Sequence, residues 1–363
     1  MKWTRKPVGS MIAASVVALS LGSQSLAQEK TRAIESDGSV HVPAFTLPPS
    51  PYLSDAARAA LPRTASDPSA MLDRLVQSGA VPKVRASMRK AAAGKVEALR
   101  RQYGVSVEET EVGGVHGYWV RPTARPLGRH RKLLINLPGG GFLVGDAGST
   151  GLIESIPLAG LGGFDILTID YRQAPEAQFP AASEDVASVY RALLKIWRPR
   201  DIGIFGCSAG GLLTAQALAW FQKQQLPAPA AAGIFCASAD ARWAGDSWYW
   251  QKAMHGLTSA PSLDERYYYG DHDLDDPLMS PIASDAVLKR FPSTLIITAS
   301  RAGEMSAAIN THRLLVRNGV QASLHVWDGL DHAFYTQTDL PESREAFDVM
   351  VRFFQSNFNQ RGR

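Results

Sequence analysis

The chain has 363 residues, of which 45% are hydrophobic and 20% are charged. This composition is typical of a folded globular protein and excludes disordered, collagen-like and coiled-coil classes. The net charge is +4, but the first 27 residues carry three basic and no acidic side chains, which leaves only +1 for the rest. Since basic residues do not cluster with interleaved aromatic residues, we expect no binding to nucleic acid.

The first 27 residues have the pattern of a secretory signal peptide. A basic start at residues 2–6 is followed by an apolar stretch at residues 11–21 and by small residues before Gln28, where we expect cleavage. A membrane anchor is the alternative, but this stretch is too short for about 30 Å of hydrocarbon. We therefore expect an exported protein, periplasmic or secreted, with no integral membrane segment after processing.

Residues 28–104 precede the regular part of the chain. Residues 28–60 are rich in proline and small residues, which predicts an irregular lead-in. Residues 67–103 are predicted to be helical, because Asp67-Pro68 is a helix start and the following stretch is charged and amphipathic. These helices have no strands of their own, so we expect them to pack on the main domain.

From residue 105 to residue 363, predicted strands and helices alternate. The strands lie at 107–112, 115–120, 133–137, 166–169, 202–205, 231–235, 295–297 and 323–327, and the helices at 151–161, 182–197, 210–224, 306–318 and 342–358. Continuous apolar strands are typical of a parallel sheet covered on both faces. The alternation therefore predicts an α/β fold. The irregular, aromatic stretch at about 240–290 interrupts it, as an inserted cap would.

A nucleophile motif lies between the fifth predicted strand and the helix after it. Gly206-Cys207-Ser208-Ala209-Gly210 is a G-x-S-x-G pentapeptide in the strand–turn–helix setting that this motif requires. Only small residues fit beside so tight a turn, which leaves the serine hydroxyl exposed above the sheet. Ser208 is therefore the predicted nucleophile, and the alternative is a glycine-rich turn with a capping serine.

A glycine loop follows the strand at 133–137. Its sequence is Pro138-Gly139-Gly140-Gly141-Phe142, and consecutive glycines let backbone N–H groups approach a ligand without a Cβ in the way. Such donors stabilise the oxyanion that develops in acyl transfer. The amide of Ala209, directly after the nucleophile, would add another donor.

The predicted base is His332, in the sequence Asp331-His332-Ala333-Phe334 after the last strand. A serine needs a base that removes its proton. Of the eight histidines, His332 alone lies in a loop after the final strand, where the chain order Ser…acid…His would place it. His325 lies within a strand, so we expect it to be structural.

Four motifs in this order resemble the hormone-sensitive-lipase-like branch of α/β hydrolases: the glycine loop, Asp170-Tyr171-Arg172-Gln173-Ala174-Pro175-Glu176, the nucleophile motif, and Asp331-His332-Ala333-Phe334. The resemblance covers residues 132–354. It implies an α/β-hydrolase fold, carboxylic-ester hydrolysis without a cofactor, and a cap built partly from N-terminal helices. It also implies that Gly139, Gly140 and Gly141 supply the oxyanion loop.

Two departures from the family pattern affect the site. The glycine loop usually begins with His, and here Pro138 stands there. The family's acid follows the strand at 295–297, where Ala302 occupies the usual Asp position. We predict that Glu304 orients His332 instead, through a turn that Gly303 would permit. Asp240 is a rival acid, and the absence of any acid is a further alternative.

The two cysteines, Cys207 and Cys236, each end an apolar strand-like run. Two cysteines do not make a disulfide framework, so we expect two buried free thiols. A single bridge between neighbouring strands is the alternative. Cys207 stands beside the nucleophile, but the side chain at its position in the motif points away, so we expect it to pack.

Together these patterns predict an exported serine hydrolase that cleaves small-molecule carboxylic esters through an acyl-enzyme. Ser208 is the nucleophile, His332 the base and Glu304 the orienting acid, and no cofactor or metal is expected. Two alternatives stay open. One is a non-catalytic or weakly active binding protein on a hydrolase scaffold, and the other is a lactone or amide hydrolase, since the same groups serve those reactions.

Overall fold

The computed structural model describes residues 34–42, 44–62, 69–124, 131–255 and 266–359. The chain divides into two units, residues 1–48 and 49–363. The described part of the first unit forms a turn closed by an antiparallel bridge between Ile34 and Val40. The predicted signal peptide, the helix start at residues 67–68 and residues 256–265 of the predicted cap lie outside the described residues.

The second unit contains a sheet of eight strands in the order β1-β2-β4-β3-β5-β6-β7-β8. β2 is antiparallel to β1 and β4, and the other neighbours are parallel. The predicted α/β fold with a mostly parallel sheet is therefore confirmed. The strands are β1 Val105–Val112, β2 Val115–Pro122, β3 Leu133–Leu137, β4 Asp165–Ile169, β5 Ile202–Cys207, β6 Ala231–Phe235, β7 Ser293–Ala299 and β8 Ala322–Trp327.

The predicted helices are present with small shifts at their ends. The helices are α1 Asp55–Ala60, α2 Ser69–Gln77, α3 Val81–Tyr103, α4 Leu152–Gly162, α5 Ala181–Leu194, α6 Ala209–Lys223, α7 Asp246–Met254, α8 Arg266–Tyr269, α9 Asp285–Leu288, α10 Met305–Arg317 and α11 Pro341–Asn359. Of these, α1, α7, α8 and α9 form in stretches that were predicted to be irregular. The predicted helical stretch at 67–103 is divided between α2 and α3, where Gly79 has a φ of +64°. None of the helices in the described ranges has the length and apolar character needed to cross a bilayer.

The central strands of the sheet are buried on both faces, as their continuous apolar runs predict, whereas the edge strands β1 and β8 are partly exposed. Leu133, Ile135 and Leu137 of β3 share one hydrophobic cluster with α5 and α6. Leu134, which points to the opposite face, shares the other cluster with α4 and α11. All residues of β3, β4, β5 and β6 are buried. The carboxyl ends of these parallel strands therefore lie at the same edge of the sheet.

The helices α1 and α3, which precede the sheet in the sequence, pack on helices that cover it. Ser54 caps α1, and its backbone N–H and hydroxyl both donate to the carboxylate of Glu342 on α11, at 2.7 and 3.0 Å. The long helix α3 lies against α4. This packing agrees with the expectation that the N-terminal helices lie on the main domain, and it brings Arg85 and Arg89 of α3 close to the loops beyond β3 and β4.

Candidate active site

Three loops at the carboxyl end of the parallel part of the sheet carry the predicted triad. Ser208 follows β5, Glu304 follows β7 and immediately precedes α10, and His332 follows β8. In open α/β sheets, the carboxyl ends of the strands are where ligands bind. The fold therefore brings together three side chains that are far apart in sequence.

The turn at Ser208 is strained, and small neighbours make it possible. Ser208 has φ +57° and ψ −128°, a conformation that is rare for a residue with a side chain. A Cβ at position 210 would overlap the carbonyl of Leu137, and a Cβ at position 206 would overlap both that carbonyl and Gly210. Glycine is therefore required on both sides of the nucleophile, which lets α6 start directly at Ala209.

A continuous chain of hydrogen bonds joins the three side chains. His332 Nδ1 lies 3.0 Å from Glu304 Oε2, and His332 Nε2 lies 2.9 Å from Ser208 Oγ. An ionised carboxylate can only accept, so the imidazole proton belongs on Nδ1 and the Nε2 lone pair accepts the serine hydroxyl. This arrangement prepares Ser208 to lose its proton to His332.

Glu304 occupies the acid position in a buried setting. Only 1% of Glu304 is exposed, and its second carboxylate oxygen accepts the hydroxyl of Thr298 at 3.1 Å. Ala302, which stands at the usual Asp position, is also buried and closes the preceding turn through a hydrogen bond to Ala299. The longer glutamate side chain thus reaches the imidazole from two residues further along.

The prediction that Gly303 is needed for the backbone conformation of the turn before Glu304 is wrong. Its φ lies outside the left-handed region, so the turn does not depend on the backbone freedom of glycine. Instead, a Cβ at this position would overlap Gln251 and would lie 2.5 Å from the ring of Trp248, both on α7. Glycine is needed here because α7 packs directly on the loop that carries Glu304.

The other candidate acids make different contacts. The carboxylate of Asp240 accepts from the backbone N–H and the guanidinium of Arg242. One oxygen of Asp331 accepts the backbone N–H of His332 at 2.7 Å, and the other lies 3.2 Å from His255 Nε2. Among the described residues, Glu304 is thus the carboxylate hydrogen-bonded to the imidazole of His332.

The electrostatic setting of His332 favours its charged form. Burial alone would lower the pKa of His332, but the charge of Glu304 and the hydrogen bond to it outweigh burial and raise that pKa above its ordinary range. The ion pair therefore stabilises the imidazolium that forms when Ser208 gives up its proton.

The glycine loop lies against the nucleophile. A Cβ at Gly139 would be 3.2 Å from Ser208 Cβ and 2.7 Å from the carbonyl oxygen of Cys207. Gly140 and Gly141 adopt φ values of +140° and +63°, which disfavour any other residue. Among the described residues, the amides of Gly140, Gly141 and Ala209 have no acceptor. These three N–H groups are available to a ligand.

Two tryptophans of the predicted aromatic cap line this region. The ring of Trp243 packs edge-on to the imidazole of His332, with 6.3 Å between ring centres, and is 5% exposed. Trp248 of α7 packs against Trp243 and against Gly303. The aromatic stretch at 240–290 was predicted to form a cap, but which of its rings meets the triad depends on the packing of α7.

The cysteines behave as predicted. Cys207 and Cys236 are both free and buried, and both belong to the hydrophobic cluster on the α11 face of the sheet. Within the described ranges, no group of three or more His, Cys, Asp and Glu side chains is arranged to hold a metal ion.

Known proteins share this fold and sequence pattern. The profile of the α/β-hydrolase fold family matches residues 134–336, more than half of the chain, so the chain belongs to the α/β-hydrolase family. An acetyl-hydrolase from Streptomyces hygroscopicus is 32% identical over 250 residues, which cover 68% of this chain and 81% of that protein.

Solved structures narrow the class further. The crystal structure of an esterase matches with a TM-score of 0.76 and 31% identity, covering 87% of this chain and 98% of the other. A hormone-sensitive lipase from a metagenome library matches with a TM-score of 0.67 and 26% identity, covering 82% and 100%. The chain is thus of the hormone-sensitive-lipase-like branch, and its activity class is that of a carboxylic ester hydrolase.

Replacing Glu304 by Gln should lower kcat/KM for a soluble ester by about 10³- to 10⁴-fold, because the amide favours the wrong imidazole tautomer. His332 must be neutral to act as a base, and its pKa is raised by Glu304. The acid limb of the wild-type profile should therefore lie above pH 6.5 and move to lower pH in Glu304→Gln. The measurement is kcat/KM between pH 5 and 10.

Asp240→Asn is the matched control, since it also neutralises a buried carboxylate, one that accepts from Arg242 instead of from His332. It should leave the acid limb of the pH profile in place. A Glu304→Gln enzyme with a wild-type rate and pH profile would show that Glu304 is not the acid.

Proposed function

We propose that this ester hydrolase acts through an acyl-enzyme on Ser208. His332 Nε2 takes the hydroxyl proton as Ser208 Oγ attacks the ester carbonyl, and His332 then protonates the leaving alcohol. Water, activated by the same imidazole, cleaves the acyl-enzyme and regenerates Ser208. Glu304 keeps the imidazole in the required tautomer, and the amides of Gly140, Gly141 and Ala209 hold the oxyanion.

The hydrogen-bonded chain Ser208–His332–Glu304 carries this proposal. Its two distances, 2.9 and 3.0 Å, are those of direct hydrogen bonds. The hypothesis of a non-catalytic binding protein rests on the missing Asp and on Pro138, and the hydrogen bond between Glu304 and His332 argues against the first of these grounds. A strained serine beside free backbone donors also serves no purpose in a simple binding site.

We further propose that the substrates are esters of small acyl groups. The relative from Streptomyces hygroscopicus is named an acetyl-hydrolase. In this chain, Trp243 and Trp248 fill space next to the triad. Bulky rings close to the reacting carbon leave less room for a long acyl chain, and the p-nitrophenyl esters of acetate and butyrate are suitable probes.

Replacing Ser208 by Ala should lower kcat for p-nitrophenyl acetate by at least about 10⁴-fold, because among the described residues no other hydroxyl is hydrogen-bonded to His332. Rates of wild type and variant would be compared on acetate, butyrate and octanoate esters, with kcat/KM expected to fall as the acyl chain lengthens. Ser188→Ala is the control, because Ser188 is a half-buried serine whose hydroxyl donates to the Gly113 carbonyl and not to His332. Equal rates for wild type and Ser208→Ala would overturn the proposed mechanism.

We also propose that residues 1–27 direct export and are then removed. The basic start, the apolar stretch and the small residues before Gln28 support this proposal. Mass spectrometry of the protein expressed in a bacterial host should find a chain that starts at Gln28 in the periplasm or medium. A variant lacking residues 2–27 should stay in the cytoplasm. An uncleaved chain in the cytoplasm would contradict the export proposal.

A further inference from the structure

The oxyanion loop is held by the segment that follows it. We infer that Thr150 is a positioning residue, which fixes the orientation of the Gly140 N–H through the carbonyl of Gly139. The inference deepens the proposed function, because it takes the Gly140 N–H to be an oxyanion donor.

The argument begins with one hydrogen bond. The hydroxyl of Thr150 lies 3.0 Å from the carbonyl oxygen of Gly139 and 3.3 Å from that of Asp146, so the nearer Gly139 carbonyl is its main acceptor. A trans peptide is planar, and its C=O and the following N–H point in opposite directions. Fixing the Gly139 carbonyl towards Thr150 therefore directs the Gly140 N–H away from it. That N–H has no acceptor among the described residues, as an oxyanion donor requires in the free enzyme.

Close backbone packing leaves the Gly139 carbonyl little freedom. A Cβ at Gly145 would overlap this oxygen, and a Cβ at Gly140 would overlap the backbone nitrogen of Gly145. At this point the two segments touch backbone to backbone, through glycines. Gly139 is buried, so the Thr150 hydroxyl supplies its carbonyl with a hydrogen bond that water does not replace easily.

Thr150 is itself held in place by its own turn. Residues Ala147–Gly151 form one π-helical turn, a widened geometry often found at functional sites. Asp146 accepts from the backbone N–H and the hydroxyl of Ser149, at 2.8 and 2.7 Å. Arg89 of α3 pairs with the other oxygen of Asp146 at 2.5 Å. The turn that carries Thr150 is therefore joined to α3 by this ion pair.

The preceding peptide is fixed in the same way. The hydroxyl of Tyr171 donates to the carbonyl of Pro138 at 2.5 Å. Pro138 stands where the family usually has His, so this loop has lost a side-chain hydrogen bond. Two hydroxyls, from Tyr171 and Thr150, instead fix two successive peptide planes of the loop.

The test compares Thr150→Val, which keeps the shape and removes the hydroxyl, with Thr150→Ser, which restores it. Losing an oxyanion donor lowers kcat by about 10²- to 10³-fold, and a misdirected donor should cost about 10- to 100-fold. We expect that loss in kcat for Thr150→Val, with KM within about twofold, because the oxyanion forms only in the transition state. Thr150→Ser should recover most of the rate.

A second readout separates positioning from a purely structural role. The Ki of a trifluoromethyl ketone, which forms a tetrahedral adduct on the serine, should rise by the same factor as kcat/KM falls. Rates are expressed per active site, titrated with an organophosphate. Thr123→Val is the control, since its hydroxyl makes the same kind of bond, to the Gly104 carbonyl, away from the site. It should match wild type.

The outcomes distinguish this inference from the proposed function. Wild-type hydrolysis that depends on Ser208 but is unchanged in Thr150→Val, in both kcat and Ki, overturns the role of Thr150 alone. A loss that appears only as fewer active sites, with kcat per site unchanged, also overturns it. Hydrolysis that survives Ser208→Ala overturns the proposed function and the inference together.

Discussion

The conformation of Ser208 is the constraint on which the rest of the site depends. With φ at +57°, the chain reverses between β5 and α6 within one residue, and the hydroxyl stands above the sheet edge. Such a conformation costs about 1–3 kcal/mol and persists only where the surroundings enforce it. Here Gly206 and Gly210 pack against the end of β3, and the N–H of Ser208 donates a hydrogen bond to the backbone carbonyl of Phe235 on β6 at 2.9 Å.

Two departures from the family pattern are compensated in this structure, each by a neighbour in space rather than in sequence. Where Asp is usual, Ala302 closes a turn and Glu304 reaches the imidazole from the start of α10. Where His usually begins the glycine loop, Pro138 presents a carbonyl that Tyr171 binds.

The sequence predicted the strands, the mostly parallel sheet and the loops for Ser208 and His332, because these depend on local patterns: apolar runs, glycine spacing and chain order. It predicted Glu304 as the acid but left Asp240 and the absence of any acid open, since the reach of a glutamate depends on the turn before α10. It did not predict Trp243, Thr298 or Thr150, whose roles come from contacts between distant segments. Nor did it predict why position 303 is glycine, because the reason lies in α7 packing against it.

The central claim is that Ser208 is activated by His332, which Glu304 orients. The most direct measurement is intact-protein and peptide mass spectrometry after treatment with diisopropyl fluorophosphate, which reacts with activated serines. We expect one adduct per chain, on the peptide that contains Ser208, and a rate of labelling that falls steeply in His332→Ala. An unlabelled folded protein, an adduct on another residue, or equal labelling rates in wild type and His332→Ala would contradict the account.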